Sequence, residues 1–249
     1  MSRLTALATG LGTAVVVLAA AVVLLWPAQS PPPVEAAVPA PGAAVEFTVD
    51  GHDVATADCP KGVDWVDDPV HGQVIMLNGA DQFCLTGGPL IRTTGDYSVS
   101  AWVKLFVPPD GLAMTAVAQD GVHASGFYLQ YSWYHRKWAF NWMEADVVDP
   151  VHNRTSTSDE PVTTEWTHLV GTYEARTRQI TLYVNGVPGK PETIGKPWQA
   201  KGPLTIGRAR WNGQPGNGLR GQIAGVQVWT RTLKPEEVVE VRDAATRAS

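Results

Sequence analysis

Gly202-Pro203-Leu204-Thr205-Ile206-Gly207-Arg208 and, after a polar, Gly-rich loop, Leu219-Arg220-Gly221-Gln222-Ile223-Ala224-Gly225-Val226-Gln227-Val228-Trp229-Thr230-Arg231-Thr232-Leu233 read as two β-strands. Both stretches are rich in β-branched and apolar residues and are bounded by turn formers. A short helix is expected from Pro235, with Pro at a first helical position and Glu236 and Glu237 at the positive end of the dipole. Helical periodicity over more than two turns is found only there, in Pro235 to Arg242.

Working outward from that stretch, strand signals dominate. Gln73 to Leu77 runs into Asn78-Gly79, a hairpin-type dipeptide, and Gln82 to Leu85 follows, so two strands are expected to meet there. Val99, Ala101, Val103 and Leu105 alternate along one face of a half-buried strand that starts at Tyr97. Phe127, Leu129, Tyr131 and Trp133 alternate likewise, and Trp138, Phe140 and Trp142 do so after the polar turn Tyr134 to Lys137, which predicts a hairpin. Trp166 to Tyr173 and Gln179 to Val184 flank another polar turn, and Asn185-Gly186 marks the next reversal. Many short strands with frequent turn signals predict an all-β, two-sheet antiparallel sandwich with a short C-terminal helix.

The 249 residues carry a formal net charge of -5, with 44% hydrophobic and 17% charged residues, as a folded protein does. Lys and Arg are scattered singly, which gives no electrostatic reason to expect nucleic acid as a partner. Leu4 to Trp26 holds no charged residue and as a helix would extend about 34 Å, enough for a bilayer core. Residues 1–26 therefore read as an uncleaved signal anchor, favoured over a cleaved signal peptide. Arg3 lies before the apolar run and no Lys or Arg follows until Lys61, so the domain is expected outside, single-pass at the cell membrane, or secreted if the helix is cleaved. Residues 27–44, made of Pro, Ala, Val, Gly, Gln and Ser around Glu35, form a tether, and 45–249 form one domain. Cys59 and Cys84 have no His or Cys neighbour at metal-ligand spacing; in an exported chain they read as a disulfide rather than as two buried thiols.

Thr93-Thr94-Gly95-Asp96-Tyr97-Ser98-Val99-Ser100-Ala101-Trp102-Val103, Gln119-Asp120-Gly121 with Ser125-Gly126-Phe127, Trp166 to Tyr173, Leu182-Tyr183-Val184-Asn185-Gly186 and the closing stretch together resemble the laminin-G-like (LamG) jelly-roll domains of the concanavalin A-like lectin/glucanase superfamily, in the form found in exported bacterial proteins. The resemblance covers most of Gln73 to Val239. It implies two curved antiparallel sheets with functional loops along one rim, and it leaves the ligand open, because this fold hosts lectins, adhesion modules, hydrolases and spacers. Similar domains carry an acidic pair, Ile-Asp-Asp-Val in pattern, where this chain has Ile223-Ala224-Gly225-Val226. No cofactor or metal is expected, and the loss of both carboxylates weakens the case for the calcium ion that the resemblance would otherwise bring.

Glu144-Ala145-Asp146-Val147-Val148-Asp149 comes close to the Glu-x-Asp-x-x-Glu strand motif of the related glucanases, whose paired carboxylates divide nucleophile and acid roles. Its last residue is Asp and Pro150 follows, so it reads as solvated carboxylates at a loop entry and not as a catalytic set. No Gly-x-Ser-x-Gly, His-Glu-x-x-His or phosphate-cradling loop is present, and His168, inside a strand, reads as a structural or surface residue and not as a base. Asn153-Arg154-Thr155 matches the short glycosylation pattern and is assigned no role.

Ten Trp make aromatic stacking the leading clue to binding. Trp102, Trp166 and Trp229 are expected in the core. Trp133 and Tyr134, beside a turn, and Trp211, in a Gly-rich loop, are candidate ligand contacts, with packing as the favoured role for all three; Asp120, Asn212 and Asn217 are candidate oxygen donors, although turn chemistry explains them equally. These observations predict a non-catalytic recognition module for carbohydrate or another cell-surface polymer. A structural or adhesion module that binds protein and a glycoside hydrolase of the same superfamily are the alternatives.

Overall fold

A computed structural model describes residues 43–106, 111–150 and 153–247. The predicted membrane or signal segment and the tether up to residue 42 lie outside the described residues. Among the described residues no helix is long and apolar enough to cross a membrane.

The strands are β1 (Ala43–Val49), β2 (Asp53–Cys59), β3 (Asp64–Asp68), β4 (Gly72–Asn78), β5 (Cys84–Leu85), β6 (Tyr97–Leu105), β7 (Met114–Asp120), β8 (Ser125–Ser132) and β9 (Lys137–Met143). They continue as β10 (Asn153–Thr157), β11 (Thr167–Glu174), β12 (Gln179–Val184), β13 (Val187–Pro188), β14 (Glu192–Thr193), β15 (Leu204–Ile206), β16 (Ala209–Trp211), β17 (Gln214–Gly216) and β18 (Arg220–Trp229). The helix α1 (Pro235–Arg247) follows, running past the predicted end at Arg242. The first strand begins two residues inside the predicted tether.

One layer has the order β10-β9-β8-β7-β15-β5, and the other contains β18-β6-β11-β12 with β4 on the outer side of β18. The β1–β2 hairpin connects them: β2 reaches β5 through the pair Asp58–Leu85, and β1 runs parallel to the end of β18 through Thr48–Gln227 and Val49–Val228. The alternation read from the sequence decides which side chains fill the space between the layers. Val99, Ala101, Val103 and Leu105 of β6, Phe127, Leu129 and Tyr131 of β8, and Trp138, Phe140 and Trp142 of β9 all belong to one buried core. Aromatic pairs join the layers, with Trp142 stacked on Tyr173 at 5.3 Å and Tyr97 meeting Phe127 at 5.3 Å.

The β8–β9 and β11–β12 hairpins form as expected. Asn78-Gly79 does not close a hairpin. β4 pairs with β3 and β18, whereas β5 pairs with β15 and β2, so the turn carries the chain from one layer to the other. Its geometry comes from Asn78 Oδ1, which accepts the N–H groups of Ala80 (2.8 Å), Asp81 (3.2 Å) and Gln82 (3.3 Å) and replaces a strand partner for them. Likewise β15 and β18 lie in different layers, and the loop between them is itself the two-stranded hairpin β16–β17.

Trp102 and Trp229 are buried, as expected, but on the outer face of their layer and not between the layers. Trp229 packs with Val170, Tyr183, Leu233 and Val238 beneath α1; Trp102 packs with Val74 and Ala224. Trp166 is half-buried beside Trp102 and donates from Nε1 to Asp68 Oδ2 at 2.8 Å. These indoles cover a second face that a single sandwich core would leave to water.

Candidate functional site

On β8 and β9, the residues between the core aromatics face away from the core. Gln130 lies between Leu129 and Tyr131, and Asn141 between Phe140 and Trp142. With their neighbours they form a hydrogen-bonded row across four strands. Thr115 Oγ1 donates to Gln130 Oε1 at 3.0 Å, Gln130 Nε2 donates to Asn141 Oδ1 at 2.9 Å, and Asn141 Nδ2 donates to Thr155 Oγ1 at 2.6 Å. Sheet register makes this row: Thr115 is opposite Gln130 and Asn141 is opposite Thr155, while Gln130 and Asn141 are diagonal neighbours. Each amide retains unused hydrogen-bonding capacity.

The two amides of this row line a groove of about 510 Å³, together with Ser132 and Asn153. The β8–β9 turn supplies its aromatic wall. Tyr134 is 89% exposed and meets the His135 ring edge-on at 5.1 Å. His135 Nδ1 lies 3.0 Å from Ser132 Oγ. Burial, followed by the nearby charge of Lys137, lowers the His135 pKa, so the imidazole is neutral at neutral pH. Trp133 is half-buried, with the Arg136 guanidinium 5.1 Å from its ring centroid. The turn closes on Arg136, whose φ of 53° is stabilised by its N–H donating to Trp133 O at 3.2 Å.

The other residues singled out in the sequence are elsewhere. Trp211 and Asn212 sit at the tip of β16–β17, which contacts the start of β8: Arg210 N donates to Ser125 Oγ at 2.9 Å and Tyr128 Oη donates to Arg210 O at 2.8 Å. They are therefore about 23 Å along β8 from the Tyr134 turn, at 3.3 Å per residue. Trp211 is 38% exposed. Asn217 holds a strand in place, its carbonyl accepting Thr115 N at 2.8 Å.

Asp120 requires a correction. It does not present oxygens at the rim, because its side chain is 0% exposed and is bound by Arg208 at 2.7 Å, Arg210 at 3.3 Å and Ser125 Oγ at 2.9 Å. Two guanidiniums supply the opposite charge that makes a buried carboxylate tolerable. Turn chemistry explained the Asp120-Gly121 dipeptide, and a buried ion pair was not visible in it.

The spaced carboxylates are tied to separate partners. Glu144 pairs with Arg154 at 2.8 Å. Asp146 accepts three backbone N–H groups, from Val122 (2.7 Å), His123 (2.6 Å) and Ala124 (2.9 Å). Burial raises the Asp146 pKa, but these donors and the His123 charge outweigh it and hold the carboxyl below its ordinary value. Asp149 binds Asn212. Among the described residues no group of three or more His, Cys, Asp and Glu side chains is placed to hold a metal ion. Where similar domains carry the acidic pair, Ala224 and Gly225 form an irregularity in the pairing of β18 with β6. His168 is buried, and Cys59 and Cys84 form a disulfide.

Sequence reasoning missed Gln130, Asn141 and Thr155. Gln130 and Asn141 are each a lone polar residue between two core residues, the ordinary sign of an outward-facing position, and Thr155 lies in an all-polar stretch; only the strand register shows that the three adjoin.

No curated protein matches the chain in sequence. Among solved structures, domain 4 of AbnA, a GH43 extracellular arabinanase from Geobacillus stearothermophilus in complex with arabinotriose, is similar at 17% identity and a TM-score of 0.56, covering 81% of this chain and 87% of that one. The binding domain of botulinum neurotoxin serotype D is similar at 12% identity and a TM-score of 0.56, covering 81% of this chain and 52% of that one. Trypanosoma rangeli sialidase is similar at 19% identity and a TM-score of 0.52, and there the match covers 76% of this chain and 29% of that one. At these identities the likeness establishes the shared sandwich fold. The family model of a laminin-G-like domain, described as concanavalin A-like lectin/glucanases superfamily, matches residues 77–239, more than half of the sequence and all of the strands that build the groove, and the chain belongs to that superfamily.

Proposed function

We propose that this protein is an extracytoplasmic, non-catalytic carbohydrate-binding module that holds a glycan in the groove over β7 to β10. The observation that carries the reading is the pair of amides Gln130 and Asn141, fixed by Thr115 and Thr155, lining one groove with the exposed Tyr134 ring. Fixed amides exchange hydrogen bonds with sugar hydroxyls, and an aromatic face stacks on the apolar side of a pyranose or furanose ring. The arabinanase domain solved with arabinotriose supports the reading at the level of the shared fold. The disulfide Cys59–Cys84 supports an oxidising compartment, in line with tethering through residues 1–26 or secretion.

The test is glycan-array binding by the full chain, repeated with Tyr134→Ala. Because Tyr134 is 89% exposed, the variant should keep its melting temperature. Loss of one stacking contact should weaken retention by roughly threefold to tenfold. Equal retention by the variant, or none by the parent chain, refutes the reading.

A second reading, an adhesion module that meets a protein, has one observation behind it. Val122, Val147, Val148 and Trp211 are exposed on three loops that hydrogen bonds hold together, through Asp146 to Val122 and through Asn212 to Asp149. An apolar cluster on a rigid rim suits a protein partner better than a polar glycan.

A further inference from the structure

We propose, resting on the carbohydrate reading of the same groove, that it selects chains of uncharged sugars and rejects sugars that carry a carboxylate. The inference comes from what the lining offers and from how the neighbouring charges are used. The hydrogen-bonding side chains of the lining are the Gln130, Asn141 and Asn153 amides, the Ser132 and Tyr134 hydroxyls, the Trp133 indole N–H and the His135 imidazole, none of them charged at neutral pH. Hydroxyls both donate and accept, and so do carboxamides and a neutral imidazole; a carboxylate only accepts and needs a cation once it is taken from water.

The cations nearest in sequence to the lining residues, Arg136, Lys137 and Arg154, each make another contact. Arg136 lies over the Trp133 ring at 5.1 Å. The Lys137 ammonium is bound to Asp159. Arg154 is held between Glu144 at 2.8 Å and Glu192 at 3.9 Å. Drawing Lys137 or Arg154 to a sugar acid would exchange one surface ion pair for another, and drawing Arg136 there would give up its contact with the Trp133 ring. His135 adds no charge at neutral pH, because burial and then Lys137 hold its pKa below the ordinary value. Recognition of carboxylates commonly relies on a free, bidentate arginine, and among the described lining residues there is none.

The experiment compares neutral and acidic members of a pair on the immobilised full chain: lactose with its sialylated form, and methyl-esterified oligogalacturonide with the free acid. The uncharged member of each pair should bind at least about tenfold more tightly, the margin set by one unpaired charge in the groove. Its retention should also be unchanged on raising the salt concentration, since no ion pair is involved. Asn153→Lys, an exposed change at the groove edge, should raise retention of the acidic members severalfold relative to that of the uncharged ones. Equal or tighter binding of the acids by the parent chain overturns the selectivity while leaving the groove as a sugar site. Absence of any gain from Asn153→Lys overturns the charge argument. Failure of every sugar to bind refutes the carbohydrate reading itself, and the selectivity with it.

Discussion

Asp149 and Asn212, far apart in sequence, bind each other twice. The Asp149 N–H donates to Asn212 Oδ1 at 2.7 Å, and Asn212 Nδ2 donates to Asp149 Oδ1. Both residues have left-handed backbones, with φ of 49°, so two turn residues are locked face to face. The contact joins the loop after β9 to the tip of β16–β17, and Gly213 N donating to His123 O at 2.8 Å brings in the β7–β8 loop. Asn212→Ala should cost about 1 kcal/mol, the net worth of such bonds. It should also speed amide exchange over Ala145 to Asp149 without changing glycan retention in the distant groove. Hydrogen-exchange mass spectrometry reads the first effect, and unchanged exchange would show that the contact restrains nothing.

Gly171, in β11, faces the Phe140 ring so closely that a Cβ there would collide with Cδ2 and Cε2. Phe140 is 0% exposed and enclosed by Tyr97 and Phe127, so it has no free direction in which to move. Gly171→Ala should destabilise the sandwich by about 2 kcal/mol through overpacking. Chemical denaturation measures it, and a loss below the experimental error would mean that the two layers separate more easily than this packing implies.

Cys59 and Cys84 are bonded across a sequence separation of 25, between β2 and β5, where Asp58–Leu85 is the single backbone pair recorded for those strands. The bond fastens the β1–β2 hairpin to the β5 layer. Replacing both cysteines by Ala should lower stability by about 3 kcal/mol, the chain-entropy value for a loop of this size. Both sulfurs are buried, so thiol counting must be done on unfolded protein. Unreduced chains should show no free thiol, and full labelling without reductant would contradict the bond.

His168 gives a sign for the pH dependence of folding. Burial, then the charges of Arg242 and His71, outweigh the opposing effect of Asp243 and push its pKa down to about 3, and Nδ1 has no hydrogen-bond partner. The unfolded chain takes up a proton near pH 6.5, the ordinary value, while the folded chain stays neutral until about pH 3. The stability contribution is therefore intact above pH 6.5 and is lost as the pH falls toward 3. Between pH 7 and 5 the loss should be about 2 kcal/mol. His168→Leu should flatten that part of the curve, and an unchanged slope in the variant would assign the acid sensitivity to other groups.

The amino-acid sequence by itself determined the architecture: alternation in Tyr97 to Leu105, Phe127 to Trp142 and Gln179 to Val184 sets which side of each strand is apolar, and that is a local property of the chain. It also determined the pairing of neighbouring strands across tight turns, and it contained the exposed Tyr134. Only the tertiary structure decided that Asn78-Gly79 crosses between layers, that Asp120 is buried between Arg208 and Arg210, and that Gln130, Asn141 and Thr155 form one row. Each of these depends on which strands become neighbours and in what register. That is settled by closure of the two layers over a shared core, and local pattern carries no record of it.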